Sequence, residues 1–296
     1  MGEGDKAGSQ PGERPLAGIA ANAASFMLAA GGDALTKVAV TDAPLAQTIA
    51  LRSIFLLALF APVFLMSMRK GRPVLATARP TLHLARVMLH LGATVTGFAA
   101  LRYLPLTTFT AIVFIAPVFI ALGAVPVLGE RIKPHQWGAI ALGFIGCMVI
   151  VRPRGEGEVA FMLLALASSA SWALSVILLR KLTRTESRVT LIAWGNFPPM
   201  ILGGAVAAFD WRQIEPSILL VVAAMAVFQV VGQLLSMTAL KLAPAATVAP
   251  AQYTQILWAT LIGMLFFNEW PQATIWLGAA LIMVGGYWLM RSERAA

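Results

Sequence analysis

The stretch from Ala100 to Gly146 occurs twice: displaced without a gap it falls on Ala239 to Gly285. Ala100/Ala239, Leu101/Leu240, Pro105/Pro244, Thr108/Thr247, Leu122/Leu261, Glu130/Glu269, Trp137/Trp276, Ala141/Ala280, Leu142/Leu281 and Gly146/Gly285 agree, and Arg102 lies opposite Lys241. Two tryptophans and two glutamates in register within an apolar background mark a duplicated unit, so the chain must fold as two related halves.

Those halves are membrane-embedded. Hydrophobic residues make up 59% and charged residues 12% of the 296, with a mean hydropathy of +0.80, outside the range of soluble domains. Uncharged runs at 103–129, 134–151, 159–179, 189–209, 216–240, 242–268 and 270–290 each have about the length that crosses ~30 Å of hydrocarbon as a helix. Three more spans fit at 16–40, 45–68 and 80–101, interrupted by Asp33, Arg52 and Arg86. The expected fold is an all-α integral membrane protein of ten transmembrane helices, five per repeat. Barrel strands would be about ten residues of alternating polarity, which these runs are not. The one cysteine, Cys147, leaves no internal disulfide and no cysteine metal site.

The net charge of +9 reads as topology, not nucleic-acid binding, because the basic residues lie between the apolar runs. Lys6, Arg14, Arg69, Lys70, Arg72, Arg79, Arg131, Lys133, Arg180, Lys181, Arg184, Arg188, Lys241, Arg291 and Arg294 fall on one side. Lys37, Arg102, Arg152, Arg154 and Arg212 fall on the other. The positive-inside rule then places both termini in the cytoplasm of an inner-membrane protein. With five helices per unit the two repeats must be inverted, and Glu130 and Glu269 come to opposite faces, each at a helix start where a carboxylate can bond free amides. Residues 1–15, polar and Gly-rich, read as a disordered cytoplasmic tail; the repeats are expected at 16–152 and 159–290.

Polar side chains inside the spans mark what these helices do. Asp33 and Lys37, four apart on one helix face, are expected to pair near the outer end, with Asp33 alternatively a proton acceptor. Arg52 either snorkels to the outer surface or meets an anionic group in a cavity. In the third span Arg79, His83, Arg86, His90, Thr94 and Gly97 share one face, either a stripe that faces other helices or water, or a snorkelling cytoplasmic end of Arg79, His83 and Arg86 with only His90 inside, packed and hydrogen-bonded. Pro117 in span four, and Pro250 in span nine, free backbone carbonyls that something nearby must satisfy. Asn196 with Pro198 and Pro199 repeats the theme in span seven, and Gln229, Gln233 and Ser236 share a face of span eight. Trp137, Trp211, Trp270, Trp276 and Trp288 sit near span ends as interfacial anchors. Trp172, Tyr253 and Trp258 lie deep in spans six and nine and are expected to wall a pocket.

No HExxH, G-x-S-x-G, Walker or dinucleotide motif occurs, and His83, His90 and His135 have no carboxylate cluster to complete a metal site. No cofactor is expected, and an embedded enzyme or structural subunit is disfavoured for want of a catalytic cluster. A channel is disfavoured for want of a filter loop. A duplicated bundle with proline-broken helices and an internal polar stripe is the layout of a secondary transporter.

The paired segments Ala-Leu-Arg-Tyr-Leu-Pro (100–105) with Gly129, Glu130, Trp137 and Gly146, and Ala-Leu-Lys-Leu-Ala-Pro (239–244) with Asn268, Glu269, Trp276, Gly278 and Gly285, resemble the two EamA domains of the drug/metabolite transporter superfamily. Within it the chain looks like the YddG-type exporters of amino acids, especially aromatic ones. The resemblance implies a basket around a central cavity with spans three, four, eight and nine near its axis. The expected solutes are aromatic and other neutral amino acids, or on the alternative reading drugs or other small metabolites. His90, Trp172, Asn196, Gln229, Gln233, Gln252, Tyr253 and Gln255 are the expected binding residues, and Asp33 and His90 the candidates to carry a coupling proton. A monomer or weak dimer in the bilayer is expected. Specificity is expected where the copies differ: Val113 against Gln252, Phe114 against Tyr253, Ala116 against Gln255.

Overall fold

Proline and asparagine set several helix boundaries. A computed structural model describes residues 14–71, 73–128, 134–150, 158–243 and 248–294, and Pro15, Pro80 and Pro216 open α1 (Pro15–Asp42), α3 (Pro80–Tyr103) and α9 (Pro216–Leu242), where a missing N–H costs nothing. Pro44 and Pro105 immediately precede α2 (Leu45–Arg69) and α4 (Leu106–Val113). Then come α5 (Ala116–Leu128), α6 (Pro134–Ile150), α7 (Glu158–Leu182) and α8 (Arg188–Ala207), the last capped by Ser187, whose Oγ accepts from Thr190 N–H. A 3-10 turn (Ala249–Tyr253) leads into α10 (Thr254–Phe267), and α11 (Ala273–Arg294) ends the chain. Asn268, at φ 53°, closes α10 in the left-handed conformation that asparagine tolerates.

Among the described residues seven helical stretches are long and apolar enough to cross a membrane, with 106–127 counted as one, and three shorter apolar helices complete ten. No strand occurs among the described residues. Met66, Met148, Leu220 and Leu265 stand exposed on outer helix faces, the surface a bilayer covers. The expected tail at 1–15 lies outside the described residues up to position 13; Arg14 is already tied down, its N–H donating to Leu242 O at 2.9 Å.

The fourth span is two helices, not one. Pro117 lacks an N–H and its ring crowds the carbonyl four residues back, and α4 accordingly ends at Val113. The freed Val113 carbonyl accepts a hydrogen bond from Ser169 Oγ at 3.1 Å, which satisfies it in a dry interior. Span nine breaks at the equivalent place, since α10 starts at Thr254 just after Tyr253, the counterpart of Phe114. The rings of Phe114 and Tyr253 meet edge-on, 6.0 Å apart.

Helices pack in a pattern that the exchange of the two halves preserves. α1 lies against α9 and α3 against α7, α2 pairs with α8, and α6 with α11. The last pair crosses at glycines: a Cβ on Gly278 would stand 2.6 Å from Gly146 O and 2.4 Å from Ile150 Cγ1, so the backbones touch. Ser168 Oγ donates to Ala93 O at 2.7 Å between α7 and α3, and Asn22 Nδ2 donates to Val248 O at 2.8 Å between α1 and the start of span nine.

Two expected pairings are replaced. Lys37 bonds Glu269 and the Leu104 carbonyl, not Asp33; its long stem carries the ammonium to the helix end while the shorter Asp33 faces inward and accepts from Gln255. Glu269 does not hold the amides of the helix it precedes. Its Oε2 accepts from Leu106 N–H at 2.7 Å, at the positive end of α4. Glu130, its counterpart, lies outside the described residues.

Candidate functional site

The two broken helices and the stripe of α3 enclose a cavity of about 470 Å³, within the size range of small-molecule sites. Spans one to four, six, eight and nine contribute its lining. Phe26, Phe98, Phe109, Phe114, Trp172 and Tyr253 supply aromatic surface, while Asp33, Arg52, His90, Gln229, Gln252 and Gln255 supply polar groups. The three mismatched pairs singled out in the repeat, Val113/Gln252, Phe114/Tyr253 and Ala116/Gln255, all face this space.

Beside it lies a second cavity of about 270 Å³ between α1, α2 and α9, lined by Ser25, Gly32, Thr36, Phe228 and Gln233 among others. Asp33, Arg52, Phe98, Gln229 and Gln255 line both spaces and form the wall between them. Two bonds cross this wall. Arg52 Nη2 donates to Gln229 Oε1, with the guanidinium 5.5 Å above the Phe98 ring, a cation–π contact. Gln255 Nε2 donates to Asp33 Oδ2 at 3.1 Å. Both charges come from the first half of the chain and both amides from the second.

Of the expected binding residues, His90, Trp172, Gln229, Gln252, Tyr253 and Gln255 come together in the large cavity, joined by Asp33; Gln233 lines the second. Asn196 lines neither, its Nδ2 donating to Ile192 O at 2.9 Å within its own helix. Trp258, expected with the aromatic wall, packs instead into the apolar core. The α3 stripe divides. His90, Thr94 and Gly97 face the cavity, whereas His83 is fully buried and stacked 5.0 Å from Trp194, with Glu186 Oε1 4.0 Å away. Arg86 Nη1 donates to Leu191 O at 3.2 Å. Among the described residues no group of three or more His, Cys, Asp or Glu side chains converges as a metal site.

Sequence reasoning left Arg52 undecided and did not single out Phe26, Phe98 and Phe109. The signal for Arg52 was its position a turn and a half into an otherwise apolar span, at a depth matching Asp33. Phenylalanines in a span carry no such mark, because lipid and cavity accept them equally.

Residues 16–152 and 160–291 match the EamA-like transporter family. A riboflavin transporter of Rhizobium johnstonii is 33% identical over 207 residues, 68% of this chain and 66% of that protein. An S-adenosylmethionine uptake transporter of Rickettsia bellii is 26% identical over 199 residues, 66% and 67% of the two chains. The aligned part thus spans about two thirds of the length of these curated relatives. A solved crystal structure shares the fold at a TM-score of 0.63 and 16% identity, over 95% of this chain and 98% of the other. Fold and both matched segments agree: the chain is a multi-pass membrane protein that belongs to the EamA-like transporter family.

Proposed function

We propose that this protein moves a flat, hydrogen-bonding aromatic metabolite of zero net charge, riboflavin being the first candidate. Transport occurs by alternating access between two inverted five-helix repeats in the cytoplasmic membrane, with both termini inside. The observation that carries the reading is the cavity itself. Trp172, Tyr253, Phe98 and Phe114 offer faces for a planar ring, and Gln229 Nε2 and Gln255 Oε1, the amide atoms that Arg52 and Asp33 do not hold, offer a donor and an acceptor for an imide or amide edge. Alternating access is supported by the principal helix pairings, in which α1 against α9 and α3 against α7 are exchanged mates, and by helix breaks at equivalent positions of spans four and nine. The similarity to a riboflavin transporter makes that solute the first to test. The protein acts as a monomer or weak dimer and carries out no bond chemistry.

A second reading, export of aromatic amino acids, is favoured by one observation: Arg52 and Asp33, in the same cavity wall, match the carboxylate and ammonium of a zwitterion. Purified protein in liposomes, given labelled riboflavin, tryptophan or S-adenosylmethionine in separate assays, separates these. Saturable flux of riboflavin above protein-free liposomes is expected. Flux of tryptophan alone would transfer the assignment to the amino-acid reading, and flux of none of the three would remove both.

A further inference from the structure

The wall between the two cavities has a composition that constrains more than the shape of a ring. Its two charges, Arg52 and Asp33, cancel, and the remaining polar groups that line the smaller cavity, Ser25, Thr36, Gln229, Gln233 and Gln255, are neutral. Each charge is held by a side-chain amide of the other half of the chain, Arg52 by Gln229 and Asp33 by Gln255. A solute tail with donors and acceptors of its own can take over these bonds one for one.

We infer that the solute binds in two parts, its ring in the large cavity and an electroneutral polar tail across the Asp33–Arg52 wall into the smaller one, so that the same ring with a phosphorylated tail is rejected. This rests on the proposed transport of a flat aromatic metabolite. The physical reason is charge. A phosphate monoester carries about −1.5 to −2 at neutral pH. It would meet one guanidinium and, in the same wall, the like-charged Asp33, and with no second cation lining the smaller cavity that excess of negative charge is unfavourable. A polyol or zwitterionic tail adds no net charge and keeps both Arg52 and Asp33 partnered. The smaller cavity, about 270 Å³, is room that a ring alone does not use.

The test is competition for uptake of labelled riboflavin into proteoliposomes, with unlabelled riboflavin or its 5′-phosphate as competitor. For the wild-type protein the phosphate ester should compete ~100-fold less well than riboflavin, the ratio that ~2.8 kcal/mol of uncompensated charge imposes. In Asp33→Asn, and independently in Gln233→Lys, which adds a cation to the smaller cavity, that ratio should fall at least tenfold. Gln233 is exposed, so its replacement leaves packing intact even where Asp33→Asn impairs folding. Equal competition by ester and parent in the wild-type protein overturns the inference while leaving riboflavin transport standing. So does a ratio unmoved in Gln233→Lys. Absence of riboflavin uptake by the wild-type protein overturns the functional assignment and the two-part site with it.

Discussion

Glu269 joins three elements at one membrane face, and removing it has a cost that follows from its bonds. One carboxylate oxygen holds the Lys37 ammonium and the other accepts from Leu106 N–H at 2.7 Å; Lys37 in turn donates to Leu104 O at 2.6 Å. The two side chains are 13% and 16% exposed, so water substitutes poorly for either partner. A hydrogen bond to a charged group contributes ~1.5–3 kcal/mol, and stripping one member from a buried pair costs ~3–5 kcal/mol. With residual exposure, Glu269→Ala should lose ~2–4 kcal/mol. Glu269→Gln retains an acceptor for Leu106 and should lose about half as much. Lys37→Met combined with Glu269→Ala should lose less than the two singles added, by ~1–2 kcal/mol. Unfolding in mixed micelles titrated with dodecyl sulfate, followed by tryptophan fluorescence, measures all four proteins. A Glu269→Ala protein within ~0.5 kcal/mol of wild type, or strict additivity in the double variant, would refute the tie between the halves.

Gly278→Ala should destabilise by ~1–3 kcal/mol, because its Cβ would stand 2.6 Å from a backbone oxygen; Gly204→Ala, with open space at its Cβ, should be no less stable than wild type in the same dodecyl sulfate titration. Ser169→Ala leaves the Val113 carbonyl without its 3.1 Å donor and should cost ~1–2 kcal/mol, read from the same detergent titration. Trp172→Ala removes one aromatic face of the cavity and should raise the KM for riboflavin about 3- to 10-fold in the liposome assay, with unfolding unchanged.

The helices, their number and the duplication were legible in the sequence because length and hydropathy alone decide whether a segment can span. Helix faces were legible too: His90, Thr94 and Gly97 recur at helical spacing and do face the cavity. Partners were not. The spacing that puts Asp33 and Lys37 on one face cannot register that Glu269, far along the chain, ends nearer the ammonium. Pro117 announced a free carbonyl at Val113, but only the fold brings Ser169 to it. The division of the α3 stripe has the same origin, since His83 and Arg86 answer to α8 and the loop before it. Trp258 shows the limit for apolar side chains, where depth in the membrane says nothing about which way a ring points. Three mismatched pairs of the repeat were a better guide to the cavity, because Val113/Gln252, Phe114/Tyr253 and Ala116/Gln255 flank the breaks in spans four and nine and all line it.

On the proposed function, solute occupies the cavity where the two broken helices meet. Counterflow measures it directly: liposomes loaded with unlabelled riboflavin are diluted into labelled riboflavin, and accumulation of label reports exchange through the protein. Wild-type protein should show a transient overshoot, and Ala116→Trp, which fills the cavity from α5, should show none while remaining folded and monodisperse by size-exclusion chromatography. An undiminished overshoot in a folded Ala116→Trp protein would contradict the placement of the solute.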